Sequence, residues 1–186
     1  GERRAGTVGM PLPGVTMRLA DEAGKIVAKG EIGIIELRGD NVFTGYWEMP
    51  EKTAESFRDD GFFITGDMAR EDEDGYITIV GRDKDLIISG GLNIYPKEIE
   101  SLIDAHHGVT ESAVIGVPHP DFGEGVVAIL VADDNVTADA VMAGISDKLA
   151  KFKQPKKILF VDALPRNTMG KVQKAVMRKE HEKMFS

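Results

Sequence analysis

In the run Gly81-Arg82-Asp83-Lys84-Asp85-Leu86-Ile87-Ile88-Ser89-Gly90-Gly91-Leu92-Asn93-Ile94-Tyr95-Pro96, a charged junction is followed by a short apolar segment, a glycine turn and a helix opening. Ile79-Val80 ends an alternating, strand-like segment, and the charges of Arg82-Asp83-Lys84-Asp85 interrupt it. A surface junction reads this way, and so does a hinge between two bodies. Leu86-Ile87-Ile88 is short enough for one strand. Ser89-Gly90-Gly91 reads as a turn in which glycine permits positive φ or the close approach of a ligand. Pro96 suits the first turn of a helix, with Ile99, Leu102 and Ile103 recurring behind it at helical spacing. Taken alone, the run is compatible with an ordinary βα connection, so its flanks have to decide.

The two flanks differ. Residues 1–82 are β-rich. Val15-Thr16-Met17-Arg18-Leu19 alternates, Gly33-Ile34-Ile35-Glu36-Leu37-Arg38-Gly39 is a second strand, and Phe62-Phe63-Ile64 and Tyr76-Ile77-Thr78-Ile79-Val80 flank acidic, glycine-containing turns. Pro50 to Phe57 suits a short helix opening on its proline. Such short strands predict a small barrel or meander. Residues 83–186 mix the two periods. A helix is expected near 96–105, strands over Ser112–Val117, Val126–Val131 and Lys157–Val161, and a helix capped by Thr137 with Val141, Ile145 and Leu149 on one face. A basic, partly helical tail closes the chain from Gln173. The predicted fold class is α+β: a β-rich part over 1–82, then a small α+β domain over 83–186.

Composition narrows the function. The chain has 186 residues, 42% hydrophobic and 29% charged, which fits a globular protein with a real core. A formal net charge of -8 argues against a nucleic-acid partner, which usually meets a basic face. The absence of cysteine removes disulfides, thiolate metal sites and cysteine nucleophiles, and is compatible with the cytosol. No apolar run approaches the roughly 18 residues of a membrane span. The start, Gly1-Glu2-Arg3-Arg4, has no apolar leader and resembles the middle of a loop, so a piece of a longer, cytoplasmic polypeptide is expected.

Three motifs are candidates for chemistry. Thr65-Gly66-Asp67 follows an apolar run, and a carboxylate just past a strand end can accept hydrogen bonds from a ribose diol; a simple turn cap reads equally well. Gly81-Arg82 offers a guanidinium fork for hydroxyls or phosphate, or an ordinary surface arginine. Leu164-Pro165-Arg166-Asn167-Thr168-Met169-Gly170-Lys171-Val172-Gln173-Lys174 presents Lys171 in a mobile-looking loop, where an ammonium can neutralise developing charge or merely be solvated. It is not a Walker loop, because the Gly-x-x-x-x-Gly-Lys-Ser/Thr order is absent. His106, His107, His119 and His181 lack metal-ligand spacing, and no metal site is expected on this chain. Trp47 reads as core or pocket wall.

Taken together, the motifs resemble the adenylate-forming superfamily of AMP-forming acyl-CoA synthetases. The resemblance rests on Gly45-Tyr46-Trp47, Thr65-Gly66-Asp67, Gly81-Arg82-x-Lys84, Ser89-Gly90-Gly91-x-Asn93-Ile94-Tyr95-Pro96-x-Glu98-Ile99-Glu100 and Leu164-Pro165-Arg166-x-x-x-Gly170-Lys171, in family order across nearly the whole chain. Within the superfamily, Asn41-Val42-Phe43-x-Gly45-Tyr46-Trp47-x-Met49-Pro50-Glu51-Lys52-Thr53 and the Lys171 motif are most similar to the malonyl-CoA synthetases. The resemblance implies that 1–82 closes the large adenylation domain and that 83–186 is the mobile C-terminal domain. It implies ATP, Mg2+ and CoA, with a small carboxylate such as malonate as substrate. The carboxylate first displaces pyrophosphate to give an acyl-adenylate, and the CoA thiol then displaces AMP. Asp67 and Arg82 would hold the ribose, Lys171 would act in the first step, Lys84 would be the hinge, and Ser89-Gly90-Gly91 would meet CoA. One well-placed donor in a dry site is worth roughly 3–4 kcal/mol. The glycine-rich phosphate loop, the magnesium motif and most of the acid pocket lie outside this sequence, so the fragment alone is expected to be inactive. Acetylation of Lys171 would remove the charge that the first step uses. Other short- or medium-chain acyl-CoA synthetases and a non-catalytic α+β binding module sharing the fold are the alternatives.

Overall fold

Strand pairing in the first part of the protein follows chain order. In the computed structural model, which describes residues 2–186, β1 (Thr16–Ala20), β2 (Ile32–Arg38), β3 (Phe63–Glu71) and β4 (Ile77–Arg82) form a four-stranded antiparallel sheet in the order β1-β2-β3-β4. This is the meander of the two predicted forms. Helix α1 (Pro50–Ser56) precedes β3, with proline in its first turn where no N–H is needed. Leu19, Ile35, Ala69 and Ile77 make the buried core of the sheet, with Met17, Val27 and Leu37 packed against it. Phe43 packs edge-on to Tyr46, Phe57 and Phe63 at 5.0–5.7 Å. Trp47 lies outside that aromatic cluster and is 87% exposed, which corrects the core reading: its neighbours take the packing and leave the indole in solvent.

Alternation along β2 turns Glu36 away from Ile35, yet Glu36 is fully buried. The burial is compensated. Arg18, its partner across the ladder, donates Nε to Oε2 at 2.7 Å, and Arg58 donates Nε to Oε1 at 2.8 Å. The Arg18 guanidinium also lies 3.9 Å over the Phe62 ring and binds Asp60 at 2.6 Å. That hydrogen bond is the main reason the Asp60 carboxyl sits below its ordinary range. A depressed folded-state pKa adds stability above the unfolded value and loses it as pH falls through the folded value. Asp60→Asn is therefore expected to flatten the acid limb of the stability–pH curve below about pH 4. Superimposable wild-type and variant curves would show that the bond contributes nothing.

The second part is built on one long hairpin. β7 (Val109–His119) and β8 (Gly123–Ala132) pair antiparallel along their length, and with β5 (Ile87–Ser89) and β6 (Leu92–Ile94) they form a sheet ordered β6-β5-β8-β7, with β9 (Lys157–Phe160) parallel to β8. Successive residues of the hairpin face opposite layers. Val114, Val126, Ala128 and Leu130 pack with Ile99 and Ile103 of α2 (Pro96–Asp104) and with Val141 and Ile145 of α3 (Ala138–Ile145). Ala113, Ile115, Val117, Val127 and Ile129 pack instead with Leu164 and with Met177 of α4 (Lys174–Glu180). Burial on both faces explains why Val126–Val131 is a continuous apolar run. Thr137 caps α3 as predicted, its hydroxyl accepting the Ala140 N–H at 3.2 Å.

At the junction, two expectations change. The glycine turn does not lead straight into a helix. β5 (Ile87–Ser89) and β6 (Leu92–Ile94) form a tight hairpin around Gly90-Gly91, whose φ values of 58 and 78 suit a two-residue primed turn. β6 exists because Ile94, fully buried, pairs with Ile87 in the same core. The compact units part between Lys84 and Asp85, two residues beyond the sequence boundary of 82/83. Asp83 stays with the first unit, its carboxylate 3.2 Å from where a Cβ on Gly66 would stand, whereas Asp85 pairs with Arg178 in the second. No helix among the described residues is long and apolar enough to cross a membrane.

Candidate active-site residues

Asp67 and Arg82 are brought together by strand register. They are direct partners between β3 and β4, and Arg82 Nε lies 2.7 Å from Asp67 Oδ1. The sequence puts the carboxylate just past a strand end, but it lies inside β3, beside the irregularity between Met68 and Ala69. Such an irregularity re-aims side chains next to it. Thr65 organises the segment. Its hydroxyl donates to Ile35 O and accepts the Asp67 N–H, and its carbonyl accepts from Arg82 Nη1. Gly66 is required here: its φ is +72, and a Cβ would press on Asp83. The Asp67 and Arg82 side chains are 28% and 48% exposed, so both can be reached. A carboxylate that accepts, next to a guanidinium that donates, suits a vicinal diol.

The Ser89-Gly90-Gly91 hairpin lies at one end of the β7/β8 ladder. Ser89 pairs with Gly123, and Gly90 N–H donates to Phe122 O at 2.8 Å. Ser89 is buried, so the exposed surface of the turn is that of Gly90 and Gly91. Phe122 flanks the turn, with His119 at 4.8 Å on its ring and Lys156 Nζ at 3.9 Å from its centroid.

Lys171 belongs to the opposite end. Sequence reasoning made its loop mobile-looking; in the structure it is a hydrogen-bonded turn. Asn167 Oδ1 accepts the N–H groups of Met169 and Lys171, Asn167 N donates to Lys171 O, and Gly170 N donates to Asn167 O. Arg166 clamps the Gly170 carbonyl and pairs with Glu111 near the start of β7. The Lys171 side chain is exposed and has no ion-pair partner among the described residues. Glu111 and His119 lie near opposite ends of β7, which puts the two turns roughly 26 Å apart at the ~3.3 Å rise of a strand. Asp67 and Arg82 share one unit, and Lys171 and the glycine turn share the other.

Sequence reasoning missed the ion pairs that brace these elements. Lys174 Nζ lies 2.6 Å from Glu100 Oε1, and Arg178 Nη1 lies 3.0 Å from Asp85 Oδ1. Lys174 and Arg178 stand one helical turn apart, a spacing that was available as a signal; their partners were not. Among the described residues no group of three or more His, Asp or Glu side chains gathers as a metal site.

The first 47 residues match the AMP-binding enzyme family, and residues 98–171 match the AMP-binding enzyme C-terminal domain, whose matched span ends on Lys171. Both parts of the chain thus carry matches to the AMP-binding enzyme family, its main domain first and its C-terminal domain second. It is 42% identical to the sulfoacetate–CoA ligase of Cupriavidus necator, covering 94% of this chain and 34% of that protein, and 40% identical to the malonate–CoA ligase of Arabidopsis thaliana, covering 98% and 32%. Among solved structures, ATP-bound MatB from Rhodopseudomonas palustris superposes with a TM-score of 0.92 at 59% identity, over 100% of this chain and 38% of that one. The chain thus spans about a third of the length of these relatives.

Proposed function

We propose that this chain is the closing portion of an ATP-dependent, AMP-forming acid–CoA ligase. Its substrate is malonate, converted through malonyl-adenylate to malonyl-CoA. The observation that carries the reading is the separation of two differently built turns on one stiff ladder. A lysine without an ion pair stands at one end and a bare glycine hairpin at the other. Adenylation forms a bond from a carboxylate oxygen to the α-phosphorus of ATP and breaks the bond from that phosphorus to the bridging oxygen, so pyrophosphate leaves. An ammonium is useful there, because negative charge crowds on the phosphoryl oxygens. Thioester formation joins the thiol sulfur to the same carbonyl carbon and breaks its bond to the phosphate oxygen, so AMP leaves. Here a lysine has no task, and an approach unobstructed by side chains does.

One carbonyl carbon cannot meet both turns in a single arrangement when they lie roughly 26 Å apart. A two-state rearrangement between the steps follows, with exposed Lys84, in the 3-10 turn Asp83–Asp85, as its hinge. Asp67 and Arg82 hold the ribose diol that is common to ATP, adenylate and AMP. Magnesium would accompany the ATP and supply charge neutralisation at its phosphates, through residues outside this chain. The partners are thus ATP, CoA, a small carboxylate and the remainder of the same enzyme, in the cytoplasm. Malonate is favoured by the stretches around Phe43 and Lys171 and by the Arabidopsis malonate–CoA ligase relative. The Cupriavidus relative favours a second reading, with sulfoacetate as the acid.

The test compares the chain alone with the full-length polypeptide in ATP–pyrophosphate exchange, across malonate, methylmalonate, sulfoacetate, acetate and longer acids. Malonate-dependent exchange is expected from the full-length protein and none from the chain by itself. Exchange by the chain alone would overturn the division of labour. Silence of the full-length protein with every acid would leave a non-catalytic binding module.

A further inference from the structure

The turn that displays Lys171 runs directly into α4, and α4 carries two cations on one face. Lys174 grips Glu100 of α2, whose side chain is 9% exposed, while the same carboxylate oxygen accepts the backbone N–H of Val114 in β7 at 2.9 Å. Arg178, one helical turn later, grips Asp85, the first residue of the second unit, 16% exposed. Met177, between them in sequence, is 1% exposed in the core beneath α4. Three elements, α2, β7 and the turn that ends on Asp85, therefore converge on a seven-residue helix too short to be stable by itself. Nothing in adenylation or thioester formation calls on Lys174, Arg178, Glu100 or Asp85 directly. Charge is rarely buried without a partner, and each of these charges has one.

We propose that the Lys174–Glu100 and Arg178–Asp85 pairs are positioning devices for Lys171. They fix α4 against α2, β7 and the residue next to the hinge, so that Lys171 is held in register with the body that moves. This inference rests on the role proposed for Lys171 in adenylation. Asn167 and Arg166 set the local shape of the turn; the α4 pairs set where that shape sits. Only Val172 and Gln173 separate Lys171 from Lys174, so release of α4 displaces the ammonium by about an ångström or more. A misplacement of that size costs on the order of 100-fold in a positioned step. The glycine hairpin, at the far end of the ladder, is untouched.

The experiment uses the full-length protein and separates the half-reactions. ATP–pyrophosphate exchange reads adenylation, and conversion of chemically prepared malonyl-adenylate with CoA reads thioester formation. Lys174→Met is expected to lower the maximal exchange rate roughly 10–100-fold with little change in the KM for ATP. Thioester formation should stay within about twofold of wild type, and Lys174→Arg should restore most of the exchange. The double variant E100Q/K174M leaves no buried charge unmatched and keeps the test decisive if Lys174→Met alone does not fold; it should show the same split. Unchanged exchange in a folded variant overturns the proposal, as does an equal fall in both half-reactions alongside a lowered Tm. Wild type and Lys171→Ala run beside them. A silent wild type, or a fully active Lys171→Ala, would defeat the ligase reading or the lysine's role instead.

Discussion

Lys171→Ala in the full-length protein is expected to reduce ATP–pyrophosphate exchange by about 10²–10³-fold, the loss seen when one preorganised donor is removed from a developing charge. The prediction is specific because the rest of the turn survives the substitution. The bonds that shape it run through the Lys171 backbone N–H and carbonyl, the Asn167 side chain and Arg166, none of which is deleted. Beyond Cβ the lysine is exposed, so its loss should leave thermal stability within about 0.5 kcal/mol of wild type. The defect should therefore be kinetic and confined to adenylation. Exchange rate and melting temperature, measured on the same preparation, check both halves. A variant that keeps near-normal exchange would mean that another cation meets the phosphate and that Lys171 is an ordinary surface lysine.

The second large effect concerns folding. Glu36→Ala should destabilise the first unit by about 3 kcal/mol, the lower end of the range for breaking a buried ion pair. Both Glu36 oxygens are engaged and the side chain is fully buried, so truncation strands Arg18 and Arg58 around a void. The lower end is appropriate because those guanidiniums are 18% and 24% exposed and Arg18 retains Asp60. Denaturant unfolding of the first unit measures it, and hydrogen exchange along β2 locates it. A loss under about 1 kcal/mol would mean that the two arginines re-solvate freely.

These networks show where sequence reasoning ends. Alternation along β1 to β4, the two-faced apolar run of β8, the Thr137 cap and the proline start of α2 are all local signals, and the structure contains each of them. Asp67 and Arg82 were legible as residue types, but their contact depends on a register that no spacing reveals. β6 escaped because it is three residues long and its strand character comes from Ile94 packing on Ile87. For Trp47 the core half of the reading fails and the pocket-wall half stands: the indole is exposed and lines a surface cleft with Tyr46, Pro50 and Thr53, and nothing in Gly45-Tyr46-Trp47 says which aromatic ring turns inward. Glu100 with Lys174, and Glu36 with Arg18 and Arg58, join residues far apart in the chain. Each looks like a surface charge until the fold closes.

The central ladder of the second unit poses a problem of alignment. In most half-exposed strands, a slip of one position is penalised at once, because apolar residues would move into water. β8 has apolar residues on both faces, so hydrophobicity alone does not distinguish the true pairing from its neighbour. Size must do so. At Gly116 a methyl group would stand 2.7 Å from the Glu124 carboxylate and 3.0 Å from Ile87. That carboxylate accepts the Ile88 N–H at 2.7 Å, which ties the hairpin of β5 to the start of β8. A notch left by one absent side chain and filled by one carboxylate works as a key. Where polarity cannot count residues along the ladder, a missing methyl group does.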